Sequence, residues 1–176
     1  MSLVITLART APASWLRVQT VRAGHVPARL PTPDAYAMVE QAGEPLLKIE
    51  VYRAQDEGTA FEAAVLWKEF AAVGFGERLY LVSLSSHQVV EFPLDSYFGC
   101  LYANGDQLLV ASAQRVMAID VTGEILWQSE ELGVDGVVFH EVNQNEIRGA
   151  GEWDPPGGWK EFRLSASTGH VLQPDA

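Results

Sequence analysis

The chain repeats itself, and that limits its possible folds more than any single motif in it. The stretch AAVGFGERLYLVSLSSHQVV from Ala71 lies over LLVASAQRVMAIDVTGEIL from Leu108, pairing Val73 with Val110, Arg78 with Arg115 and Val82 with Ile119. A third copy, EFRLSASTGHVL from Glu161, lies over LYLVSLSSHQVV from Leu79 and pairs Tyr80 with Phe162 and Ser83 with Ser165. A short repeated unit cannot bury its apolar face alone and relies on its neighbours, so the period outranks local propensity. Three units follow, at residues 61–98, 99–136 and 137–173, preceded by an N-terminal portion, 1–60, that reads as an arm and a hairpin.

Each unit reads as four short apolar runs separated by turn chemistry. In the second, CLYA meets Asn104-Gly105, a pair that tolerates the positive φ of a tight hairpin, and QLLVAS follows; RVMAIDV then meets Thr122-Gly123 before EILWQ. In the third unit NQN and STG take the corresponding turns. One local signal disagrees: TAFE at Thr59 to Glu62 has the form of a helix capping box. The repeat sets Trp67 and Lys68 against the Asn104-Gly105 turn, so EAAVLW is expected to be a strand. Upstream, PLLKIEVYR alternates Leu47, Ile49 and Val51 with Lys48, Glu50 and Tyr52, a half-buried strand whose hairpin partner is YAMVEQ. SWLRVQTV also alternates like a strand, and Arg22 to Pro33 reads as a linker or covering loop.

Four-stranded units of about 40 residues have the size of propeller blades. RVMAIDVTGEILWQS resembles the blade repeat of quinoprotein-type (PQQ-like) propellers, in which a strand ending in Asp is followed by Thr-Gly and a strand carrying Leu-Trp. That resemblance implies the blade shape alone. The ordered blocks GFGERLYLVSL, LDSYFGCLY, LLVASAQRV, LGVDGVV and GAGEWDPPGGWKEFRL also resemble a family of uncharacterised bacterial proteins, a likeness that implies no activity. The expected fold is a single, mostly β domain over 1–176. It comprises three four-stranded antiparallel blade-like repeats plus N-terminal strands in an open propeller-like or sandwich-like stack, the alternative being a small closed four-bladed propeller.

Composition narrows function by exclusion. The 176 residues are 48% hydrophobic and 20% charged, an ordinary globular balance. Twelve Lys and Arg against 23 Asp and Glu give a net charge of −11, which opposes binding to nucleic-acid phosphates or anionic membranes and favours a basic partner. Arg9, Arg17, Arg22 and Arg29 are the only charged residues before Asp34, so an N-terminal arm lying on an acidic body is expected. Cys100 is the single cysteine, which suggests a reducing compartment, and the apolar run after Met1 is short for a secretory or membrane segment. A cytoplasmic location is expected.

The candidate site is the segment GEWDPPGGW, residues 151–159, an insertion between the second and third strands of the third unit. Insertions on a repeat scaffold sit in loops, where binding surfaces are usually placed. Pro155-Pro156 restricts the backbone and Gly157-Gly158 permits a sharp return, so Trp153 and Trp159 are held at low entropic cost with Glu152 and Asp154 beside them. The plainer expectation is that each Trp packs across the strands at the foot of the loop. The inter-unit loops PLDSYFG and ELGVDGV add Asp95, Tyr97 and Asp135; the two aspartates are expected to cap turn amides, or else to join an acidic pocket. His25, His87, His140 and His170 are not spaced as ligands, and no nucleophile elbow, P-loop or dinucleotide pattern is present. No catalytic residue, metal or cofactor is therefore assigned.

Two functions fit. One is a non-catalytic β-repeat binding protein whose acidic surface recognises a basic protein, as in an immunity-type role. The other is a small-molecule or glycan-binding domain, with or without hydrolytic activity, with Trp153 and Trp159 stacking on the ligand. Open sheet edges also make a homodimer possible.

Overall fold

The computed structural model describes residues 2–29, 31–58 and 60–173. These residues are nearly all β, in four sheets of three or four strands, with one 3₁₀ turn. They fall into two compact units, residues 1–93 and 94–176, with two sheets in each.

The first unit opens on a sheet that sequence reading recognises only in part. Its strands are β1 (Leu3–Ala8), β2 (Thr20–Gly24), β3 (Ala35–Gln41) and β4 (Glu44–Tyr52), in the order β1-β3-β4-β2. The expected β3–β4 hairpin forms, and its central residues Ala42 and Gly43 take φ values of 54° and 87°, as a tight hairpin turn requires. Parts of the arm and of the expected linker are strand, while residues 25–29 and 31–34 lie outside any strand. β1 pairs antiparallel with β3, Ile5 against Val39, and β2 pairs parallel with β4, Val21 against Ile49. Of SWLRVQTV, residues up to Trp15 form the 3₁₀ turn and only Thr20 and Val21 enter a strand, because Trp15 buries its ring while Val21 and Ala23 turn to the core. Arg9, just past β1, does lie on the body: its guanidinium reaches the Asp34 carbonyl at 2.9 Å, the Glu62 carboxylate at 2.6 Å and the Phe75 ring centroid at 5.3 Å.

The second sheet holds β5 (Glu62–Trp67), β6 (Phe70–Phe75), β7 (Arg78–Ser83) and β8 (Val89–Pro93) as an antiparallel meander. EAAVLW is a strand, as the repeat predicts, with Glu62 opposite Phe75 and Trp67 opposite Phe70; six cross-strand pairs outweigh one capping box. The two sheets share a core of alternate residues, among them Val39, Leu47, Ile49, Val73, Phe75 and Val82.

In the second unit β9 (Phe98–Asn104), β10 (Gln107–Ser112), β11 (Val116–Asp120) and β12 (Ile125–Gln128) form a second antiparallel meander. Asn104 pairs with Gln107, so the two-residue link is Gly105-Asp106, one position later than the Asn104-Gly105 pair of the sequence reading; Gly105 supplies the positive φ of 59° that the first link residue needs. The last sheet departs further. It contains β13 (Val137–Val142), β14 (Glu146–Glu152) and β15 (Trp159–Ser165), three strands instead of the expected four. Where the fourth would run, among the described residues only Val171 bridges Leu164, flanked by bonds from Ser165 N–H to the His170 carbonyl and from Leu172 N–H to the Arg163 carbonyl. Leu109, Val116, Ala118, Trp127, Ile147, Phe162 and Leu164 form the shared core of this unit.

Candidate functional site

The site is built by close backbone approach before any side chain enters it. After β12 the chain crosses the end of β14: Val134 and Asp135 N–H groups point at the Glu152 carbonyl, at 2.7 and 3.3 Å, and Glu152 N–H donates to the Gly136 carbonyl at 2.8 Å. Glycines make this approach possible. A Cβ on Gly151 would sit 1.7 Å from the Leu132 carbonyl oxygen, and one on Gly133 would sit 2.8 Å from the Gly136 carbonyl oxygen. Further along β14, a Cβ on Gly149 would meet the Phe162 ring at 2.5 Å, so that ring lies over the glycine opposite it on β15.

The GEWDPPGGW insertion follows, as six residues between Glu152 and Trp159, which face each other across the ladder. The loop is tied inside itself: Trp153 N–H donates to the Gly158 carbonyl at 2.9 Å, Gly158 N–H to the Asp154 carbonyl at 3.0 Å, and Gly157 N–H to Glu152 Oε1 at 2.5 Å. Gly157 has φ 105°, and a Cβ on Gly158 would meet Asp154 Cβ at 2.5 Å, so both glycines are required where they stand. The Pro155–Pro156 bond is cis.

On this frame both tryptophans remain accessible, Trp153 at 37% and Trp159 at 45%. They differ in surroundings. Lys160 Nζ lies 5.4 Å from the centroid of the Trp153 ring, a cation–π contact. Trp159 instead leans on Gly136, where an added Cβ would be 3.0 Å from the ring and 3.8 Å from Glu152 Oε2.

Tyr97 joins the Trp159 side. Its hydroxyl lies 2.5 Å from the Asp135 carbonyl oxygen and 3.0 Å from Asp135 Oδ1, and donates to them. Burial, together with the Asp135 bond and the Asp135 and Glu152 charges, pushes the phenol up to about 12. Of the seven residues singled out in the sequence, the structure therefore brings Tyr97, Asp135, Glu152 and Trp159 together. Trp153 and Asp154 stand on the same loop.

Asp95 belongs elsewhere. It accepts the Ser112 hydroxyl at 2.5 Å and pairs with Arg115 Nε at 2.9 Å, while Ser112 Oγ accepts the Gln114 and Arg115 amides. It thus supports a turn through Ser112 instead of capping amides itself. Asp135 does not cap its own turn either; its side chain receives the tyrosine. His140 sits on β13 with Nδ1 3.3 Å from Glu161 Oε2, and His87, with φ 60°, is half-buried just after the β7–β8 turn. Cys100 is half-buried, its thiol pushed up to about 11 by that burial.

A second feature was not legible in the sequence. An open cleft of about 270 Å³ lies beside the loop, lined by Glu131, Leu132, Trp153, Lys160, Phe162 and Val171 among others. The glycine pair Gly149 and Gly151 in GAGE was the available signal, since glycines in a strand mark close approach.

No family model matches this chain, and no curated protein sequence matches it. Among solved structures, the crystal structure of the N-terminal domain of Nup159 is similar, with a TM-score of 0.48 and 10% sequence identity; the alignment covers 98% of this chain and 50% of that one.

Proposed function

We propose that this protein is a non-catalytic binding module of blade-like β repeats, which recognises a basic protein partner through Trp159, Tyr97, Asp135 and Glu152. The observation that carries this reading is the exposure of Trp159, at 45%, on a loop fixed by its own backbone bonds and flanked by carboxylates. A tryptophan held in place contributes contact area at little further entropic cost, which is why Trp and Tyr dominate binding hot spots. Its neighbours set the sign of the partner: residues 94–176 contain 13 acidic side chains and 4 basic ones. The carboxylates next to the ring also serve the scaffold, since Asp135 Oδ1 takes the Tyr97 hydroxyl and Glu152 Oε1 takes the Gly157 amide. Fixed acids beside an exposed indole suit a lysine or arginine side chain. An immunity-type role, in which an acidic protein masks a cationic target, fits the same chemistry, and a cytoplasmic location is part of this reading.

The test is capture from lysate of the source organism with wild-type, Trp153→Ala and Trp159→Ala baits, followed by association kinetics with the purified partner. The expected partner is basic, is lost with Trp159→Ala more than with Trp153→Ala, and associates more slowly as salt rises. An association rate independent of salt, or a partner retained in full by Trp159→Ala, defeats the proposal.

A further inference from the structure

The three repeats complete their sheets unequally. β8 pairs with β7 over five positions, from Val89 opposite Val82 to Pro93 opposite Arg78. β12 pairs with β11 from Ile125 to Gln128. Each of these fourth strands brings in one buried aromatic residue, Phe92 opposite Leu79 in the first repeat and Trp127 opposite Ala118 in the second. On β15 the same position is covered only near Leu164, by Val171.

Which backbone groups this leaves open follows from the alternation of an antiparallel ladder. The Arg163 carbonyl and the Ser165 amide point away from β14, toward Leu172 and His170. The β14–β15 register runs without a bulge, so Glu161 points the same way as Arg163 and Ser165. Among the described residues, neither its N–H nor its carbonyl has a cross-strand partner on that side. The cleft of about 270 Å³ opens along this same stretch, with Leu132, Trp153, Phe162 and Val171 as its apolar walls.

We infer that residues 160–162 of β15, whose outer side pairs with no described strand, accept an extended segment of a partner protein as a fourth strand, with an aromatic side chain of that segment entering the cleft beside Phe162. Backbone bonds at Glu161 supply the pairing and the cleft supplies the selectivity, the division of labour in strand addition. The chain's own β8 and β12 indicate the occupant, since in both sister sheets a strand carrying one buried aromatic residue fills the place. A second copy of β15 fits poorly. Outward residues must face outward residues, so the registers that use this stretch best set Glu161 against Glu161 or Lys160 against Lys160, and like charges directly opposite destabilise a pair. This edge adjoins the acidic surface around Trp159 on the same strand, but its test reads the Glu161 amide and depends neither on salt nor on that residue.

The test uses the whole ¹⁵N-labelled chain and a synthetic peptide with the sequence of residues 123–130, GEILWQSE. The expected result is that the Glu161 amide shifts and gains protection from solvent exchange on titration. A peptide carrying Trp127→Ala should bind at least about tenfold more weakly. A peptide N-methylated at alternate residues should fail to bind, which removes the backbone bonds without altering the protein. The variant Glu161→Pro, which deletes one outward donor, should lose the peptide while keeping its fold. No change at the Glu161 amide up to ~1 mM peptide, equal binding of the N-methylated peptide, or shifts confined to β11 through exchange with the protein's own β12 would each overturn the inference. So would protection of the Glu161 amide in the free protein that vanishes on dilution, the signature of a self-paired edge.

Discussion

Residues 1–93 carry 8 basic side chains against 10 acidic ones, and residues 94–176 carry 4 against 13. Each unit contains a four-stranded antiparallel meander, yet the two dispose of their polar groups differently. In the first, Glu57 is buried with Oε1 2.7 Å from Arg78 Nε, Arg78 pairs in turn with Glu91, and Tyr80 is buried completely. Lys48, also buried, lies 3.3 Å from Glu50, which holds Arg22 and Tyr52 as well. In the second, most of the acids remain at the surface, though Glu146 is held at 14% exposure by Arg148 and Arg163, and glycines bring the backbone close enough to fix an exposed loop. A buried charge costs several kcal/mol unless it is paired, whereas an exposed one costs little. The first unit thus commits polar groups to a fixed interior, and the second keeps them available to a partner.

The strongest way to break that comparison is to remove the glycine on which the exposed loop depends. Gly151→Ala places a Cβ 1.7 Å from the Leu132 carbonyl, and backbone, unlike a flexible side chain, cannot yield cheaply. A loss of about 3 kcal/mol or more is expected in chemical denaturation. Gly43→Ala, where nothing lies within 4 Å but φ is 87°, should cost only about 1 kcal/mol. Equal effects would mean that the close approach of residues 132–136 to β14 is not what holds the loop.

Next in size is the buried pair of the first unit. Arg78→Met keeps the aliphatic stem and leaves the Glu57 carboxylate, only 6% exposed, without its cation. The expected loss is about 3 kcal/mol, discounted from a fully buried pair because Arg78 itself is 32% exposed. Arg115→Met at the equivalent repeat position removes a pair with the more accessible Asp95 and should cost about 1 kcal/mol. Similar losses would erase the distinction between committed and available charge.

The contrast also accounts for what the sequence disclosed. The β9–β10, β11–β12 and β3–β4 hairpins were legible because turn residues and alternation lie within ten or so positions of each other. That EAAVLW is a strand was legible because the repeat transferred it from a clearer copy, although the turn after it falls at Lys68-Glu69, one position later than the repeat suggested. β1 and β2 were not, since their partners lie far away in sequence, and a parallel β2–β4 pairing leaves no turn signal between them. Trp153 and Trp159 could be named as candidates but not placed, because the loop that carries them is set by Gly133 and Gly136, in the connection between β12 and β13, meeting Gly151 on β14. The shortened last sheet was hidden for the opposite reason: STGHVL looks like its sister turns, and whether a strand continues past Val171 is not a property of that turn.

A smaller effect is expected from acid. Arg163 and Arg148, bonded to Glu146 at 2.6 and 2.8 Å, hold its carboxyl down to about 2. A carboxylate with a lowered folded pKa stabilises above its ordinary value of ~4.3 and loses that contribution as pH falls from there toward 2. Unfolding midpoints followed by a probe in the second unit should therefore decline across this window in the wild type and less steeply in Glu146→Gln. Parallel slopes would show that the two arginines do not favour the charged form.

The smallest effects give the sharpest comparison, because one chemical change can be made in both units. Tyr97→Phe removes a hydroxyl that donates to Asp135 and should cost about 1 kcal/mol. Tyr80→Phe removes one that is buried and, among the described residues, has no hydrogen-bond partner. Burial and the nearby Glu91 and Glu57 charges raise the Tyr80 phenol well above its usual value, which keeps it neutral but leaves its dipole unsatisfied. Deleting an unsatisfied buried hydroxyl removes a desolvation penalty and no bond, so Tyr80→Phe should be neutral or stabilising by up to about 1 kcal/mol. The pH dependence should differ as well: the Tyr97 contribution is present below ~10 and is lost as pH rises toward about 12, so Tyr97→Phe should flatten the alkaline limb of the stability profile. A Tyr80→Phe loss as large as that of Tyr97→Phe would mean that the buried hydroxyl is bonded in solution, and the interior of the first unit would then be as fully satisfied as the surface of the second.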